Sequence, residues 1–436
     1  MENATPMLRQ YLEIKKLYPG TILFFRLGDF YEMFNEDAVT GSRELEITLT
    51  ARHKDSPNPV PMCGVPHHAA ANYIAKLVRK GYRVAICEQT EEGGKGVKLV
   101  KREVVRVITP GTAIDPQLVE SKDSVYLAAI CGNDDTLSVA FLELSAGQFQ
   151  VTQITGGGAW DKIRDQVEAF APREILFPRF LESEILSAFG ANQDNLFFAD
   201  ETATASGGNG FATLTPLDDH NFNLDDCSQL LKTQFGVKEL TAFGLDAKPE
   251  AIRSSGACLR YAQETQRTIA GHIAAIEYFE SADHMVLDAV TLRNLEIVES
   301  RGDSSKRTLF GVLDQTVTGM GSRLLRQWLL RPSLKRSEIQ TRLAAVTELS
   351  DTIFREKIRF LLKEVSDLER LIGRLNLGTA SPRDLLALNR SIKQAPAVNS
   401  VLADATSLLL QVLSENIFEL PETRDLIDRA ISCDRS

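Results

Sequence analysis

Strand-like patterning runs through the first 250 residues of this chain and stops near Lys248. Beyond that point the apolar residues return every three or four positions, the period of an amphipathic helix. A strand-rich part and an all-helical part do not share one layered core. The 436 residues therefore divide into about two to four domains, each large enough to bury a core of its own. We expect a multidomain chain: a mixed α/β domain over residues 1–112, a second α/β unit over 113–250 and an all-α part over 251–436. Helical periodicity marks residues 254–279, 320–330, 336–350, 354–375, 382–394, 399–415 and 421–432, with Leu324, Leu325, Trp328 and Leu329 on one apolar stripe.

The aromatic-rich stretch Phe24 to Phe34 organises the first domain. Thr21 to Leu27 reads as a strand after the Pro19-Gly20 turn, and Gly28-Asp29 as a second turn. If Phe30-Tyr31-Glu32 is extended, Phe30 and Glu32 point to one face and Tyr31 to the other. A phenylalanine can enter a base step in the minor groove and kink a duplex. A carboxylate beside it is repelled by phosphate, which makes sense where the residue serves to discriminate. The plainer reading keeps Phe30 in the core and Glu32 on a solvated face.

The remainder of this domain reads as short alternating elements. A helix over residues 7–18 precedes the first strand; a second, capped by Asn35, runs to about Leu45, and Ile47 to Leu49 is a strand. Arg52, His53 and Lys54 lie in a polar loop near the wedge. Pro66 leads into a helix from His67 to Lys80 that carries Lys76, Arg79 and Lys80, and a strand from Val97 to Ile108 carries Lys98, Lys101, Arg102 and Arg106. Arg52, Lys54 and the seven just named on the helix and strand are the candidate contacts to a phosphate backbone.

Charge supports that placement. The net charge of −10 hides a split: residues 1–110 hold 16 Lys and Arg against 13 Asp and Glu, residues 111–250 hold 8 against 22, and residues 251–436 hold 25 against 24. A duplex would be held by the first segment and kept off the second. No apolar run reaches membrane-spanning length, and the N-terminus has no basic-then-apolar leader pattern. Six cysteines are scattered singly without a CxxC pair, so reduced thiols in a cytoplasm are expected.

Residues 122–250 read as a second α/β unit. Strands over Val125–Ile130, Leu137–Leu144 and Gln148–Ile154 are followed by alternating helix and strand at Trp160–Phe170, Glu174–Phe177, Glu182–Phe189 and Asn195–Phe198. Thr202 to Gly210, rich in Gly, Thr and Ala, reads as a loop.

Several kinds of chemistry find no support. No G-x-x-x-x-G-K-[ST] pattern occurs, so no nucleotide site and no enzyme activity are expected of this chain. Cys63, His67 and His68 cluster without a fourth ligand at zinc spacing, and no metal or other cofactor is assigned. Asp123, Asp134, Asp135 and Glu143 could serve a two-metal nuclease only if folding gathered them, and Asp134 and Asp135 read as hairpin residues.

Gly28-Asp29-Phe30-Tyr31-Glu32-Met33-Phe34 resembles the mismatch-recognition motif of the bacterial MutS family. Pro61 to His68, Val84 to Gln89, and Thr308 to Thr316 running on to Trp328-Leu329-Leu330-Arg331-Pro332 resemble the same family in the same order. The resemblance implies a mismatch-recognition domain, a ribonuclease-H-like connector and a helical lever and core. It implies that Phe30 enters the minor groove, that Glu32 hydrogen-bonds the displaced base, and that binding initiates DNA mismatch repair. It implies duplex DNA with mismatches or small loops as partner, a MutL-type repair protein on the connector, and a cytoplasmic, nucleoid-associated location. The family's clamp and ATPase half, with its ATP and magnesium and its main dimer contacts, has no counterpart here. A truncated chain or fragment, monomeric, is therefore expected. The alternative is a protein-interaction module, or an inactive fragment with only weak DNA binding.

Overall fold

The computed structural model describes residues 5–52, 59–91, 100–116, 118–190, 212–298, 300 and 307–431. The first sheet is built from α1 (Pro6–Leu17), β1 (Thr21–Leu27), β2 (Phe30–Phe34), α2 (Asn35–Leu45), β3 (Thr50–Arg52), β4 (Val60–Pro66), α3 (Ala70–Arg79), β5 (Arg83–Gln89) and β6 (Arg102–Ile108). Its strand order is β3-β4-β2-β1-β5-β6; β1 and β5 run parallel, and the other neighbours antiparallel. Strand alternation gives the sheet two apolar faces. Phe24, Tyr31, Met33 and Val84 pack with Ile74 and Leu77 of α3, while Leu23, Phe25 and Phe34 pack with Tyr11 of α1.

Asp37 ties these layers together. It is buried in α2 and accepts hydrogen bonds from Tyr11 Oη at 2.7 Å, Leu23 N at 3.0 Å and Lys15 Nζ at 2.6 Å. The expected cap is corrected here. Asn35 is the first residue of α2, with φ of 52°, and makes no side-chain capping bond. The strand expected at Ile47–Leu49 lies instead at Thr50–Arg52, where it pairs with β4. The helix expected from His67 opens as a single 3₁₀ turn over His67–Ala69 before α3 begins.

The second sheet is built from β7 (Tyr126–Gly132), β8 (Thr136–Glu143), β9 (Gln148–Thr155), α4 (Ala159–Phe170), β10 (Glu174–Pro178), α5 (Glu182–Phe189), β11 (Thr213–Leu217), α6 (Leu224–Phe235), α7 (Pro249–Gln266) and β12 (Glu277–Tyr278). Its order is β11-β10-β7-β8-β9-β12. β7, β8 and β9 form an antiparallel meander; β10 runs parallel to β7, β11 to β10 and β12 to β9. α4 and α5 cover the face holding Phe141 and Ile175, and α6 and α7 cover the face holding Leu127 and Val151. The expectation of helix alone beyond Lys248, with one helix over 254–279, is corrected here. α7 ends at Gln266, Arg267 takes a left-handed φ of 53°, and the chain returns to the sheet edge as β12. A two-residue strand is too short to show a period. The expected strand Asn195–Phe198 and the Gly-rich stretch Thr202–Gly210 lie outside the described residues.

The helical part comprises α8 (Ala289–Asn294), α9 (Leu309–Leu313), α10 (Gly319–Leu330), α11 (Arg336–Glu348), α12 (Thr352–Leu362), α13 (Leu368–Asn376), α14 (Pro382–Ile392), α15 (Ala395–Leu402), α16 (Leu408–Glu415) and α17 (Pro421–Ala430). The apolar stripe read on α10 is not its buried face. Leu324 is 47% and Trp328 38% exposed, whereas Ser322 and Arg323 are buried. Arg323 faces inward because three acceptors wait there: Asp367 at 2.6 Å, Glu369 at 2.6 Å and the Ser121 carbonyl at 2.8 Å. None of the described helices is long and apolar enough to cross a membrane.

The two sheets meet at Glu174, the first residue of β10 and fully buried. Its carboxylate accepts from Thr109 Oγ1 at 2.5 Å, Gly111 N at 3.0 Å, Thr215 Oγ1 at 2.8 Å and Tyr261 Oη at 2.7 Å. Gly111 must be glycine for this approach. A Cβ there would lie 2.7 Å from Leu127 Cδ1 and 2.8 Å from Glu174 Cβ. Glu174→Leu orphans these donors at about 1–3 kcal/mol each. It is expected to destabilise the chain by at least ~3 kcal/mol, read as a lower urea midpoint through the fluorescence of its two tryptophans, Trp160 and Trp328. An unchanged midpoint would remove Glu174 from this role.

Candidate functional site

The β1–β2 hairpin turns through Gly28 and Asp29, with Leu27 paired to Phe30. Gly28 has φ of +59°, which glycine reaches without strain and which a two-residue hairpin requires. β2 then alternates as the sequence predicts: Phe30 and Glu32 share the α1 face, and Tyr31 is buried on the other. Phe30 lies beyond the cover of α1 and is 47% exposed, while Phe24, Phe25, Tyr31 and Phe34 on the same two strands are buried. The plainer reading of Phe30 as a core residue is thereby set aside.

The tip is held from behind. Tyr31 Oη donates a short hydrogen bond to Glu88 Oε1, and the Tyr31 ring lies 5.4 Å from His67 and 5.9 Å from Phe24. His67 N donates to Asp29 O at 2.8 Å, pinning the turn to the end of β4. Arg26 stands over the Tyr31 ring at 5.6 Å. Burial, reinforced by Glu88, pushes the Tyr31 phenol well above its ordinary pKa, so it stays a donor.

Glu32 is half-buried beside this tip. Its neighbours across the strands are Phe25 and Gly64, and a Cβ on Gly64 would sit 3.5 Å from Glu32 Cγ. Arg52 Nη1 stands 3.5 Å from Glu32 Oε2, yet that oxygen has no hydrogen-bond partner. Desolvation raises the Glu32 pKa and Arg52 opposes the rise.

The structure separates the basic candidates. Arg52 pairs with Glu32, a contact that the sequence reading missed; the placement of Gly64 opposite Glu32 is the one local hint of room there. Lys76 and Arg79 are exposed on α3 with no ion pair among the described residues. Lys80 is committed to Glu44, with Nζ 3.0 Å from Oε2 and 3.1 Å from its carbonyl. Lys101 is exposed and paired with Glu103 at 2.7 Å. Arg102 corrects the expectation of a phosphate contact. It is buried, donates to Arg26 O at 2.7 Å and Gln10 Oε1 at 3.1 Å, and stacks 5.0 Å from the Phe25 ring. Arg106 is largely withdrawn into the opposite face, and burial lowers its pKa. Lys54 and Lys98 lie outside the described residues.

The alternative chemistries fare as follows. Cys63 is buried with Sγ 3.4 Å from Ala38 O, and burial raises its thiol pKa to about 11, leaving it an inert thiol. Among the described residues no group of three or more His, Cys, Asp and Glu is placed to hold a metal ion. Asp134 and Asp135 sit in the β7–β8 turn, while Glu143 ends β8, roughly 26 Å from Asp135 at strand rise, hydrogen-bonded to Ser145 at 2.6 Å. Those acids cannot share a two-metal centre.

Three family comparisons cover nearly all of the chain. Residues 5–117 match MutS domain I, residues 125–274 match MutS domain II and residues 290–436 match MutS domain III. The chain belongs to the MutS family. It is 43% identical over 438 residues to the DNA mismatch repair protein MutS of Solibacter usitatus, covering 99% of this chain and 48% of the relative. It is 44% identical over 432 residues to that of Myxococcus xanthus, covering 99% and 46%, and 40% identical over 428 residues to that of Pelotomaculum thermopropionicum, covering 98% and 48%. The chain thus spans about half the length of the curated relatives it matches. Phe30, Glu32 and Arg52 fall within the match to MutS domain I.

The raised Glu32 pKa has a measurable consequence. At low pH the carboxyl is neutral and resembles Gln; as pH rises through its raised pKa it ionises, and a phosphate brought beside it would be repelled. The gain in matched-duplex affinity from Glu32→Gln should therefore widen between pH 5 and pH 8, read by fluorescence anisotropy. A gap that does not change with pH would mean that Glu32 does not face the duplex.

Proposed function

We propose that this chain senses mispaired or looped positions in duplex DNA through the β1–β2 hairpin, as the recognition part of a mismatch-repair protein. The observation that carries the reading is the exposed ring of Phe30 beside the half-buried carboxylate of Glu32 on a braced hairpin. Phe30 stacks on a base at an opened step, returning about 1–3 kcal/mol. Opening the step costs a few kcal/mol, least where pairing is already broken. Paired DNA resists the wedge and mispaired DNA yields, so selection follows deformability rather than sequence. Near a phosphate backbone the already raised Glu32 pKa rises further, and the protonated carboxyl donates to the displaced base. Lys76 and Arg79 are the uncommitted cations for the backbone, and Arg52 exchanges Glu32 for phosphate.

The remaining assignments follow the same reading. Residues 1–112 are the recognition domain, 113–250 a connector and 251–436 a lever and core. A ribonuclease-H-like connector is supported by the β9-β8-β7-β10-β11 succession, an antiparallel meander extended by two parallel strands. A MutL-type protein is the partner proposed for the connector, whose residues 111–250 carry the acidic excess. ATP and magnesium belong to the family's other half; residues 1–436 serve as the sensing part, in the cytoplasm at the nucleoid. That acidic excess also favours the second reading, a protein-interaction module with weak DNA binding.

Phe30→Ala separates the two. It should abolish the preference for a mismatched over a matched duplex, worth about 1–3 kcal/mol, and leave matched-duplex affinity nearly unchanged at low salt. Lys76→Gln and Arg79→Gln should weaken both duplexes alike, each lowering the salt slope by roughly one unit. Electrophoretic mobility shifts over a salt series measure both effects. If Phe30→Ala weakens both duplexes by one factor, the wedge reading fails and the interaction-module reading stands.

A further inference from the structure

A cavity of about 890 Å³ opens where the first sheet, the connecting segment, the second sheet and the helical part meet. The C-terminal end of α3, the segment from Pro110 to Val125, the turn from Ala169 to Arg173 and one side of α10 line it. Six cationic residues and two acidic ones, Glu120 and Asp123, face it. Two of the cations are already neutralised: Lys80 by Glu44 at 3.0 Å, and Arg323 by Asp367 and Glu369 at 2.6 Å each.

Arg331, at the end of α10, is different. It is 8% exposed, no carboxylate lies within ion-pair distance among the described residues, and its Nε has no hydrogen-bond partner. Among the described residues its guanidinium makes one hydrogen bond, Nη1 to Gln150 Oε1 at 3.3 Å. The guanidinium lies against the rings of Phe279 at 4.1 Å and Phe170 at 4.6 Å. Burial pulls its pKa down to about 10. Glu277, held behind Gln150 by the Gln150 Nε2–Glu277 Oε2 hydrogen bond at 2.6 Å, opposes that fall from beyond ion-pair distance. A buried cation with no carboxylate in direct contact is costly unless an anion completes it. Arg326, one turn earlier and half-buried, lines the same wall and has no carboxylate partner among the described residues. Exposed Arg173 and Arg79 stand on the other walls.

We infer that this cavity binds a small multivalent phosphate-bearing anion, held by the guanidinium groups of Arg331 and Arg326 with Arg173 and Arg79 closing on it. Guanidinium forks match phosphate oxygens in pairs, and the volume lies within the range of small-molecule sites. The site is separate from the hairpin and shares only Arg79 with the duplex reading. Because its walls come from every part of the chain, a bound anion would lock α10 against the connecting segment and set the attitude of the first sheet.

Calorimetric titration of the whole chain with sodium pyrophosphate, sodium tripolyphosphate and ADP, without magnesium, tests this. One saturable site is expected, weakened at least tenfold by Arg331→Met and by Arg326→Gln and unchanged by Lys76→Gln. Binding of ADP as tight as pyrophosphate assigns the site to nucleoside phosphates; binding of the inorganic anions alone assigns it to free polyphosphate. Arg326→Gln, on a half-exposed residue, keeps the test valid if Arg331→Met does not fold. No saturable heat with any of the three anions overturns the proposal. So does binding that survives Arg326→Gln, or binding that Lys76→Gln removes to the same extent.

Discussion

Glu174 holds the arrangement together. A buried carboxylate must be satisfied almost completely or it destabilises its surroundings. Here the donors come from segments far apart in the chain: Thr109 and Gly111 ahead of the second sheet, Thr215 on β11 and Tyr261 on α7. Satisfying Glu174 therefore places the end of the first sheet against the second sheet and its covering helix in one step. The contact admits no side chain at position 111, so glycine is part of the same constraint. Tyr261, buried against the carboxylate, has its pKa pushed well up and remains a donor.

A second set of polar ties carries the placement into the helical part. Arg323 reaches Ser121 O, Asp367 and Glu369, and Arg370 donates to Glu120 O at 2.8 Å and to Asp123 O. Both guanidinium groups are buried and both grip the connecting segment. Desolvation offsets much of the Coulomb gain of such pairs, so their main effect is on geometry. They explain why α10 turns an arginine inward and leaves leucine and tryptophan outside. The connecting segment is thus clasped by Glu174 at one end and by two arginines at the other, and the cavity containing Arg331 opens between these clasps.

At the hairpin the physical conflict is local. An exposed phenylalanine forgoes burial, and a half-buried carboxylate lacks a full set of partners. Such groups persist where the surrounding structure over-determines them. Tyr31 beneath the sheet, His67 on the turn and the Asp37 cluster provide that bracing. A rigid backing matters for a wedge, because a mobile ring would lose conformational entropy on insertion and return less of its stacking energy.

Much of this was legible in the chain itself. β1 was read at its observed bounds, β7 to β10 within two residues, and Phe30 and Glu32 on a common face, because a strand's period of two is written in consecutive residues. The same local logic accounts for the buried stripe of α3, Ala70, Ile74, Leu77 and Val78. What eluded it depends on residues distant in sequence. The Glu32–Arg52 pair needs β3 and β4 to fold back beside β2. The burial of Arg102 needs the Arg26 carbonyl from β1, and the inward turn of Arg323 needs acceptors more than forty residues away on either side. β12 exists only because β9 offers an open edge. Local periodicity and turn chemistry determine the elements and which side chains share a face. Only the tertiary structure decides which charges meet, because that depends on register and packing between segments whose separation no short-range pattern encodes.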